Sequence, residues 1–258
     1  MTLLEFVQLH NYILFLIIGS GIGFLSGLLG KGGSAITTPA LQVFCGVPSF
    51  SALSSPLPVS LPSAFSASVA YRKEKLLNYR LIQWVLVLGV PATLTGAFFS
   101  DLFEGRVLML LTAAFILLLG ASFFVHSSKL QPEETKAKDI PFYKIVLVSI
   151  LVGFTSGLLA NSGGALFGPL FIRYLKMPVK KALASSLVVA AGLAIPGTLV
   201  HWYLGHIDWY IVLLLSLSSI PFSHLGAKSA ITIKSDYLEK IFGLTLILFG
   251  IFDILYNV

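Results

Sequence analysis

Long apolar stretches without charged residues alternate with short polar segments along this chain. Eight windows of twelve or more residues contain no Asp, Glu, Lys or Arg: 6–30, 32–71, 81–100, 107–128, 145–172, 182–207, 209–227 and 241–252. A membrane-spanning helix needs about 20 predominantly apolar residues. Most of these windows can therefore hold a spanning helix, and the window 32–71 must hold more than one element. The pattern predicts an all-α membrane protein.

The windows divide into five helical elements in each half of the chain. The first half is predicted to form helices at 10–29, 34–46, 49–71, 81–100 and 106–125, and the second at 143–160, 164–175, 179–203, 209–230 and 237–257. The second element of each half would span only roughly 20 Å at 1.5 Å per residue, less than the bilayer core, so we expect a half-helix or re-entrant segment. The third element of the first half contains Pro56, Pro58 and Pro62, which should kink or break it.

The two halves are copies of one unit at an offset of 130 residues. The sequence GFLSGLLGKGGSA at 23–35 returns as GFTSGLLANSGGA at 153–165, and nine of the nineteen positions from Gly23 to Leu41 are identical. The register continues without gaps through Pro48 and Pro178 to Gly120 and Gly250. We therefore divide the chain into a transmembrane repeat at 1–125, a cytoplasmic linker at 126–144 and a second transmembrane repeat at 145–258.

Each copy carries a glycine-rich break inside apolar sequence. We call Gly30–Ser34 the first break and Ala160–Gly164 the second break. Unwound backbone at bilayer depth is tolerated only where protein or a polar cavity surrounds it. Paired breaks in duplicated units therefore indicate a transporter.

Basic residues predict how the chain is oriented in the membrane. Fifteen of the seventeen Lys and Arg fall in four clusters, at 72–80, 129–144, 173–181 and 228–240. With five elements per copy, all four clusters lie on one side, which the positive-inside rule assigns to the cytoplasm. Both termini are then non-cytoplasmic, in a multi-pass protein of the cell membrane. Equivalent loops face opposite sides, so we expect the two copies to have inverted topology.

Composition and motifs exclude several other classes of function. Only 11% of residues are charged, against about 25% in soluble domains, and we read the net charge of +6 as a topology signal rather than a nucleic-acid site. The single cysteine, Cys45, allows no cysteine metal site. We expect no cofactor. The sequence contains no phosphate-binding loop that would indicate ATP-driven transport. It also contains no intramembrane Asp pair, His-Glu-x-x-His motif or Ser–His pair that would indicate an enzyme.

The paired motif resembles a known family. Each Ser-Gly-Leu-Leu motif is followed by a proline and then by a second segment, Ala52-Leu53-Ser54-Ser55-Pro56-Leu57 in one copy and Ala182-Leu183-Ala184-Ser185-Ser186-Leu187 in the other. This arrangement is similar to the TauE/SafE sulfite exporter-like transporters over nearly the whole chain. The resemblance implies an exporter of a small anion, such as sulfite, a sulfonate or another sulfur-containing oxyanion. The chain departs from the family pattern at Lys31, Ala160 and Ser162.

The residues themselves also favour an anion. A helix begins after each break, and its first N–H groups lack intrahelical partners and carry the positive end of the helix dipole. Inverted copies would aim two such helix starts at one central site that receives oxyanion oxygens. The predicted substrate-binding residues are Gly30, Lys31, Gly32, Gly33, Ser34, Ser55, Asn161, Ser162, Gly163, Gly164, Ser185 and Ser186. The alternative is that such small residues bind no ligand and only permit tight helix packing.

Two individual residues and two other functions stay open at this stage. Lys31 either neutralises the bound anion or extends its amine to the cytoplasmic interface. His201 lies among Trp and Tyr residues and is interpreted as an interfacial histidine of an aromatic belt. An anion channel, or a membrane assembly factor without transport, would share the same duplicated architecture. The sequence leaves the oligomeric state open.

Overall fold

A computed structural model describes residues 3–30, 34–125, 140–159 and 164–257, and every regular element in these residues is an α-helix. The first copy forms six helices: α1 (Leu3–Leu29), α2 (Ser34–Cys45), α3 (Ser49–Ser54), α4 (Pro56–Lys73), α5 (Tyr79–Ser100) and α6 (Gly105–Val125). The second copy forms five: α7 (Phe142–Leu158), α8 (Gly164–Arg173), α9 (Val179–Tyr203), α10 (Trp209–Thr232) and α11 (Ser235–Asn257).

The third element differs between the copies because of its prolines. In the first copy it is interrupted at Ser55, and Pro56 occupies the first position of α4. Proline has no N–H to continue the preceding helix but fits the first turn of a new one. In the second copy α9 runs through Pro196 without interruption. The break expected from the prolines of the first copy is confirmed.

The helices have the length and surface of membrane-spanning segments. Among the described residues, four are long and apolar enough to cross a bilayer, at 12–29, 79–100, 179–203 and 209–232. Large apolar side chains such as Val87, Leu118 and Leu217 are more than three-fifths exposed, as expected for surfaces that contact lipid tails rather than water. The predicted all-α membrane protein is confirmed.

The long helices pack across the two copies. Helix α1 lies against α10, and α7, its counterpart in the second copy, lies against α5, the counterpart of α10. Glycines permit this close approach. A Cβ at Gly27 would lie 2.8 Å from the Ser223 carbonyl carbon, and a Cβ at Gly157 would lie 2.9 Å from the equivalent Thr93 carbon. The same helix contacts are therefore found when the two copies change places, as they would be if a two-fold axis related the copies. Their inverted orientation in a membrane stays a prediction.

The loops that carry the basic clusters share one end of the helix bundle. Leu76, Met177 and Ile233, each from a different basic loop, contribute to a single apolar cluster, and the Lys180 ammonium donates to the Ile231 carbonyl. At the other end, the ring of Phe50 stacks on that of His206 with 4.3 Å between centroids. The basic loops of the sequence therefore lie at one end of the folded helix bundle, away from the other end. Most of the linker, 126–139, lies outside the described residues.

Candidate functional site

The first break begins with a sharp change of backbone direction. Helix α1 ends at Leu29, Gly30 has a positive φ of 62°, and α2 begins at Ser34. A Cβ on Gly30 would lie 2.5 Å from the carbonyl carbon of Leu183 in α9, well inside van der Waals contact. Both the left-handed backbone and the close approach require glycine here. Lys31, Gly32 and Gly33 lie outside the described residues.

Ser186 connects this break to the second copy. Its hydroxyl is fully buried and lies 2.7 Å from the Gly30 carbonyl oxygen and 2.9 Å from that of Leu183. A hydroxyl has one hydrogen to donate, so it bonds one of these carbonyls at a time or divides between them. The structure therefore brings Gly30 and Ser186 together. Pro56 occupies the equivalent position of the first copy and has no hydroxyl to offer the second break.

Leu159, the residue before the second break, lies against the third element of the first copy. Helix α7 ends at Leu158 and α8 begins at Gly164, and Leu159 belongs to an apolar cluster that includes Leu53, Leu57 and Ala194. Asn161, Ser162 and Gly163 lie outside the described residues. Gly30 and Leu159, the described residues at the near edges of the two breaks, thus each contact the region that carries the Ala-x-x-Ser-x-Leu segment of the opposite copy.

Helix α9 contacts Gly30 of the first break and Leu159, the residue before the second break, at different levels. It meets Gly30 through Leu183 and Ser186, while Ala194, which shares the cluster of Leu159, follows eight or more residues later. Eight residues of helix correspond to about 12 Å. Gly30 and Leu159 therefore lie against α9 at different levels. The expectation that the starts of α2 and α8 face one central site stays a prediction. We call the length of α9 that connects these two levels, with the loops at its two ends, the path along α9.

Ser55 and Ser185 have equivalent roles at opposite ends of this path. The Ser55 hydroxyl accepts a hydrogen bond from the backbone N–H of Asp208 at 3.0 Å, and the Ser185 hydroxyl accepts one from that of Asn78 at 3.1 Å. Asn78 and Asp208 are themselves related by the 130-residue offset, and each caps the N-terminus of a long helix. Ser185 lies near the start of α9 whereas Asp208 follows its end, so the two serines do not meet. Each fastens a loop of the other copy.

Replacing either serine should loosen its loop by a similar amount. Ser55→Ala or Ser185→Ala leaves a backbone N–H without its acceptor, which costs about 1–3 kcal/mol when the group stays buried. We expect both variants to lower the melting temperature of the purified protein in detergent. Ser68→Ala is the matched control, because the Ser68 hydroxyl bonds only within its own helix at an exposed position. A Ser68→Ala variant that melts as early as the other two would contradict this interpretation.

A cluster of hydroxyl groups beside the first break was missed from sequence. Its cavity of about 10 Å³ is close to the smallest space that holds one water. Five hydroxyl residues line it: Ser26, Thr37, Ser60, Ser63 and Ser219. The Ser63 and Ser219 oxygens lie 2.7 Å apart.

Comparing the two copies at the 130-residue offset would have revealed this cluster. The second copy has Phe167 in place of Thr37, Ala190 in place of Ser60 and Leu193 in place of Ser63. Ser219 lies in the second copy, and its counterpart in the first copy is Gly89. Four of the five positions, all but Ser26, therefore have a counterpart without a hydroxyl, and the polar cavity between the copies has no equivalent on the other side.

The two short helices each have buried residues close to their starts. Ser34 and Gly164 are the first residues of α2 and α8. Within the following turn Thr37 and Thr38 are buried in the first copy, and Leu166 and Phe167 in the second. Both helices contain a proline and have 12 and 10 residues, about 18 Å and 15 Å. The expectation of short half-helices agrees with these lengths.

The aromatic surroundings of His201 agree with a membrane interface, but the histidine itself does not. Trp202, Tyr203 and Trp209 are about half exposed or more, as belt residues should be. His201 is only 1% exposed, so its interpretation as an interfacial side chain was wrong. The helix rotates it inward while its neighbours face out, and the position of a residue in sequence does not reveal that direction.

The described groups around the path are donors and acceptors suited to binding rather than to catalysis. They are serine and threonine hydroxyls and backbone amides, without a nucleophile–base pair among the residues of the path described above. Within the described residues, no cluster of three or more His, Cys, Asp or Glu side chains is placed to hold a metal ion. Such groups can donate hydrogen bonds to a bound solute or accept them from it.

The chain is similar to known membrane transporter proteins over nearly its whole length. A family model described as "Sulfite exporter TauE/SafE" matches residues 15–252. The chain is 25% identical to "Probable membrane transporter protein YunE" of Bacillus subtilis, over 93% of this chain and 96% of that one. It is 28% identical to a "Probable membrane transporter protein" of Xylella fastidiosa, over 92% and 93%. It is 27% identical to "Probable membrane transporter protein MJ0441" of Methanocaldococcus jannaschii, over 98% of both chains. No solved structure matches.

Proposed function

Because the chain belongs to the sulfite exporter TauE/SafE family of membrane transporters, we propose that it exports a small anion across the cytoplasmic membrane. The proposed substrate is sulfite, a sulfonate or another sulfur-containing oxyanion. Two inverted repeats would alternately open a path that runs between the two breaks. The observation that carries the proposal is the pair of glycine-rich breaks, with Gly30 at one and Leu159 before the other each packed on the third element of the opposite copy.

An anion is favoured by the kinds of groups that border the path. Helices α2 and α8 begin at the breaks, and the first N–H groups of a helix bind anions through hydrogen bonds and the helix dipole. The serine and threonine hydroxyls beside the first break add neutral donors. Lys31, Asn161, Ser162 and the neighbouring glycines complete the proposed binding set, with Gly30, Ser34 and Ser186. The hydroxyl-lined cavity must widen to admit an oxyanion, as an alternating path does in each cycle.

Ser55 and Ser185 are proposed to act at the two mouths of this path. Each hydroxyl holds the N–H of a capping residue, Asp208 or Asn78, in a loop of the other copy. Opening one mouth would release one of these bonds while the other persists. We further propose that the mouth near Asn78 is cytoplasmic, since the basic loops surround it, and that both termini lie on the opposite side.

Flux measurements in proteoliposomes test the function. Vesicles that contain the purified protein should accumulate or release labelled sulfite or a sulfonate down an imposed gradient, faster than vesicles without protein. Thermal-shift measurements against sulfite, thiosulfate, sulfonates and short carboxylates would rank the ligands. Single-channel currents in a planar bilayer would instead identify an anion channel. Neither flux nor current with any of these anions would overturn the proposal in favour of an assembly factor.

Lys31→Gln is expected to weaken the apparent affinity for the anion about tenfold. A charge pair in a partly shielded site is worth a few kcal/mol at an effective dielectric of about 20, and about 1.4 kcal/mol corresponds to a tenfold change in affinity. The measurement is the substrate concentration at half-maximal flux in proteoliposomes. Arg106→Gln is the control, since Arg106 is the other basic residue outside the four clusters. A change of less than about twofold for Lys31→Gln would assign that lysine to the interface.

A further inference from the structure

Three titratable side chains form a connected chain at the end of α9. His201 Nε2 lies 3.3 Å from the Gly157 carbonyl oxygen, and His201 Nδ1 lies 3.1 Å from His206 Nδ1. His206 Nε2 lies 3.9 Å from a carboxylate oxygen of Asp101. The Asp101 side chain is 59% exposed, whereas His201 is buried. The chain therefore leads from solvent to a backbone carbonyl three residues before the second break.

The partners of these atoms determine where the protons must be. A carbonyl oxygen only accepts, so His201 Nε2 carries a hydrogen and donates it to Gly157. In neutral His201, Nδ1 is then an acceptor, and His206 Nδ1 must donate to it. Neutral His206 is left with a bare Nε2 that faces the Asp101 carboxylate, another acceptor. When both histidines are neutral, one proton position is therefore empty, between His206 and Asp101.

One added proton completes the chain, and a second does not fit. A proton on His206 Nε2 creates an imidazolium beside the Asp101 carboxylate and keeps both other hydrogen bonds. A second proton would have to bind His201 Nδ1, which would place two N–H groups and two positive charges against each other at 3.1 Å. Like charges at this distance strongly disfavour double protonation. The geometry therefore describes a site for a single proton.

The charges around the site are few. Burial lowers the pKa of His206 below its ordinary value, and the negative charge of Asp101 opposes that shift. The carboxylate of Asp208, on the same loop, accepts from the backbone N–H groups of Tyr210 and Ile211. Glu104 and Arg106, beside Asp101 at the start of α6, are exposed. The ring of Phe50 covers one face of His206.

The first copy shows that the fold does not need this row of two histidines and an aspartate. Tyr71 takes the place of His201 at the 130-residue offset, and its buried hydroxyl donates to the carbonyl of Gly27, the counterpart of Gly157. Leu76 and Ile231 occupy the positions equivalent to His206 and Asp101. A tyrosine can therefore make the structural hydrogen bond to the helix before the break. The second copy alone combines that bond with a proton-binding chain.

We propose that His206, Asp101 and His201 bind one proton and that the rate of transport depends on this proton. The inference rests on the proposed transport function. The proton enters from solvent beside Asp101, is held on His206 Nε2, and returns to solvent when the site opens. Because His201 is bonded to the carbonyl of Gly157, a movement of α7 in the transport cycle that alters this bond would also alter the proton affinity of His206. Linkage of two sites in one protein typically changes affinity about 5- to 150-fold.

The test compares the pH dependence of anion flux in proteoliposomes between the unaltered protein and variants that carry first-copy residues. The unaltered protein should change its initial rate at least about fivefold as the pH on the Asp101 side is varied from about 5 to 8. His201→Tyr and His206→Leu, which introduce the first-copy residues, should reduce this variation to less than about twofold. His224→Gln is the control, since His224 bonds the Ser66 carbonyl far along α10 and should keep the full variation.

The Asp101→Asn variant tests in which direction the Asp101 carboxylate shifts the pH dependence of transport. Removing the carboxylate removes the charge that favours a proton on His206, so the midpoint of the pH profile should move to lower pH. Nuclear magnetic resonance of histidine-labelled protein in detergent measures proton binding directly and needs no substrate. Among the signals of the five histidines, the one that is absent from His206→Leu is thereby assigned to His206. That signal should titrate in the unaltered protein and shift to lower pH in Asp101→Asn.

The two readouts separate this proposal from the transport function. If no anion is transported but the resonance titrates as described, the transport proposal fails and the proton site stands. If anions are transported with an unchanged pH profile in both His201→Tyr and His206→Leu, the proton site is overturned. Elution of each variant as a single species during size-exclusion chromatography shows that it is folded.

Discussion

Gly30→Val is expected to abolish anion transport. Gly30 has a positive φ of 62° and would place a Cβ 2.5 Å from the Leu183 carbonyl carbon. A β-branched residue disfavours that backbone conformation, and the Leu183 backbone cannot move without displacing α9. Either α1 moves away from α9, which breaks the Ser186 bond to Gly30, or the break adopts another path. Both outcomes change the proposed site directly, and the measurement is flux in proteoliposomes.

Gly21→Val is the matched control for this experiment. Gly21 lies on α1, the helix that ends just before Gly30, and a Cβ there would meet nothing within 4 Å. We expect this variant to transport at close to the unaltered rate. If Gly30→Val also transports normally, the close contact between the first break and α9 has no role in the cycle. If Gly21→Val fails equally, the loss reflects valine in α1 rather than the break.

The second large effect concerns the crossings between the copies. Gly27→Val and Gly157→Val should each destabilise the protein by about 1–3 kcal/mol or more, the usual cost of overpacking a close contact. A Cβ would lie 2.8 Å from the Ser223 carbonyl carbon at Gly27, and 2.7 Å from the Ala97 nitrogen at Gly157. These atoms are backbone, so no side-chain rotation relieves the overlap. Helices α1 and α10, or α5 and α7, must separate.

Melting temperatures in detergent measure this effect. Because the two glycines occupy equivalent positions in equivalent crossings, we expect similar decreases for the two single variants. Gly21→Val again supplies the comparison, with valine on α1 but no opposing backbone. A large decrease for Gly27→Val with none for Gly157→Val would show that the two crossings are not equivalent in stability, contrary to the packing described above.

The amino-acid sequence by itself determined the class of protein and the register of its two copies. Charge-free windows the length of a bilayer allow few alternatives to membrane helices, and the Gly23–Ala35 motif repeats at a constant offset. It also predicted a kink or break in the third element of the first copy, because a proline removes a backbone donor wherever it occurs. The structure places that interruption at Ser55. These features are local, or are periodic along the chain, and need no knowledge of which helices touch.

The tertiary structure alone decided which residues meet. Ser55 and Ser185 look like one pair of ligands in the sequence, yet they hold loops at opposite ends, because α9 separates those ends. Ser186 reaches Gly30 across 156 residues of chain. His201 proved to be buried against Gly157 because a helix turns successive residues to different directions, and the inward direction depends on its neighbours. Contacts between distant segments follow from helix packing, which the order of residues does not state.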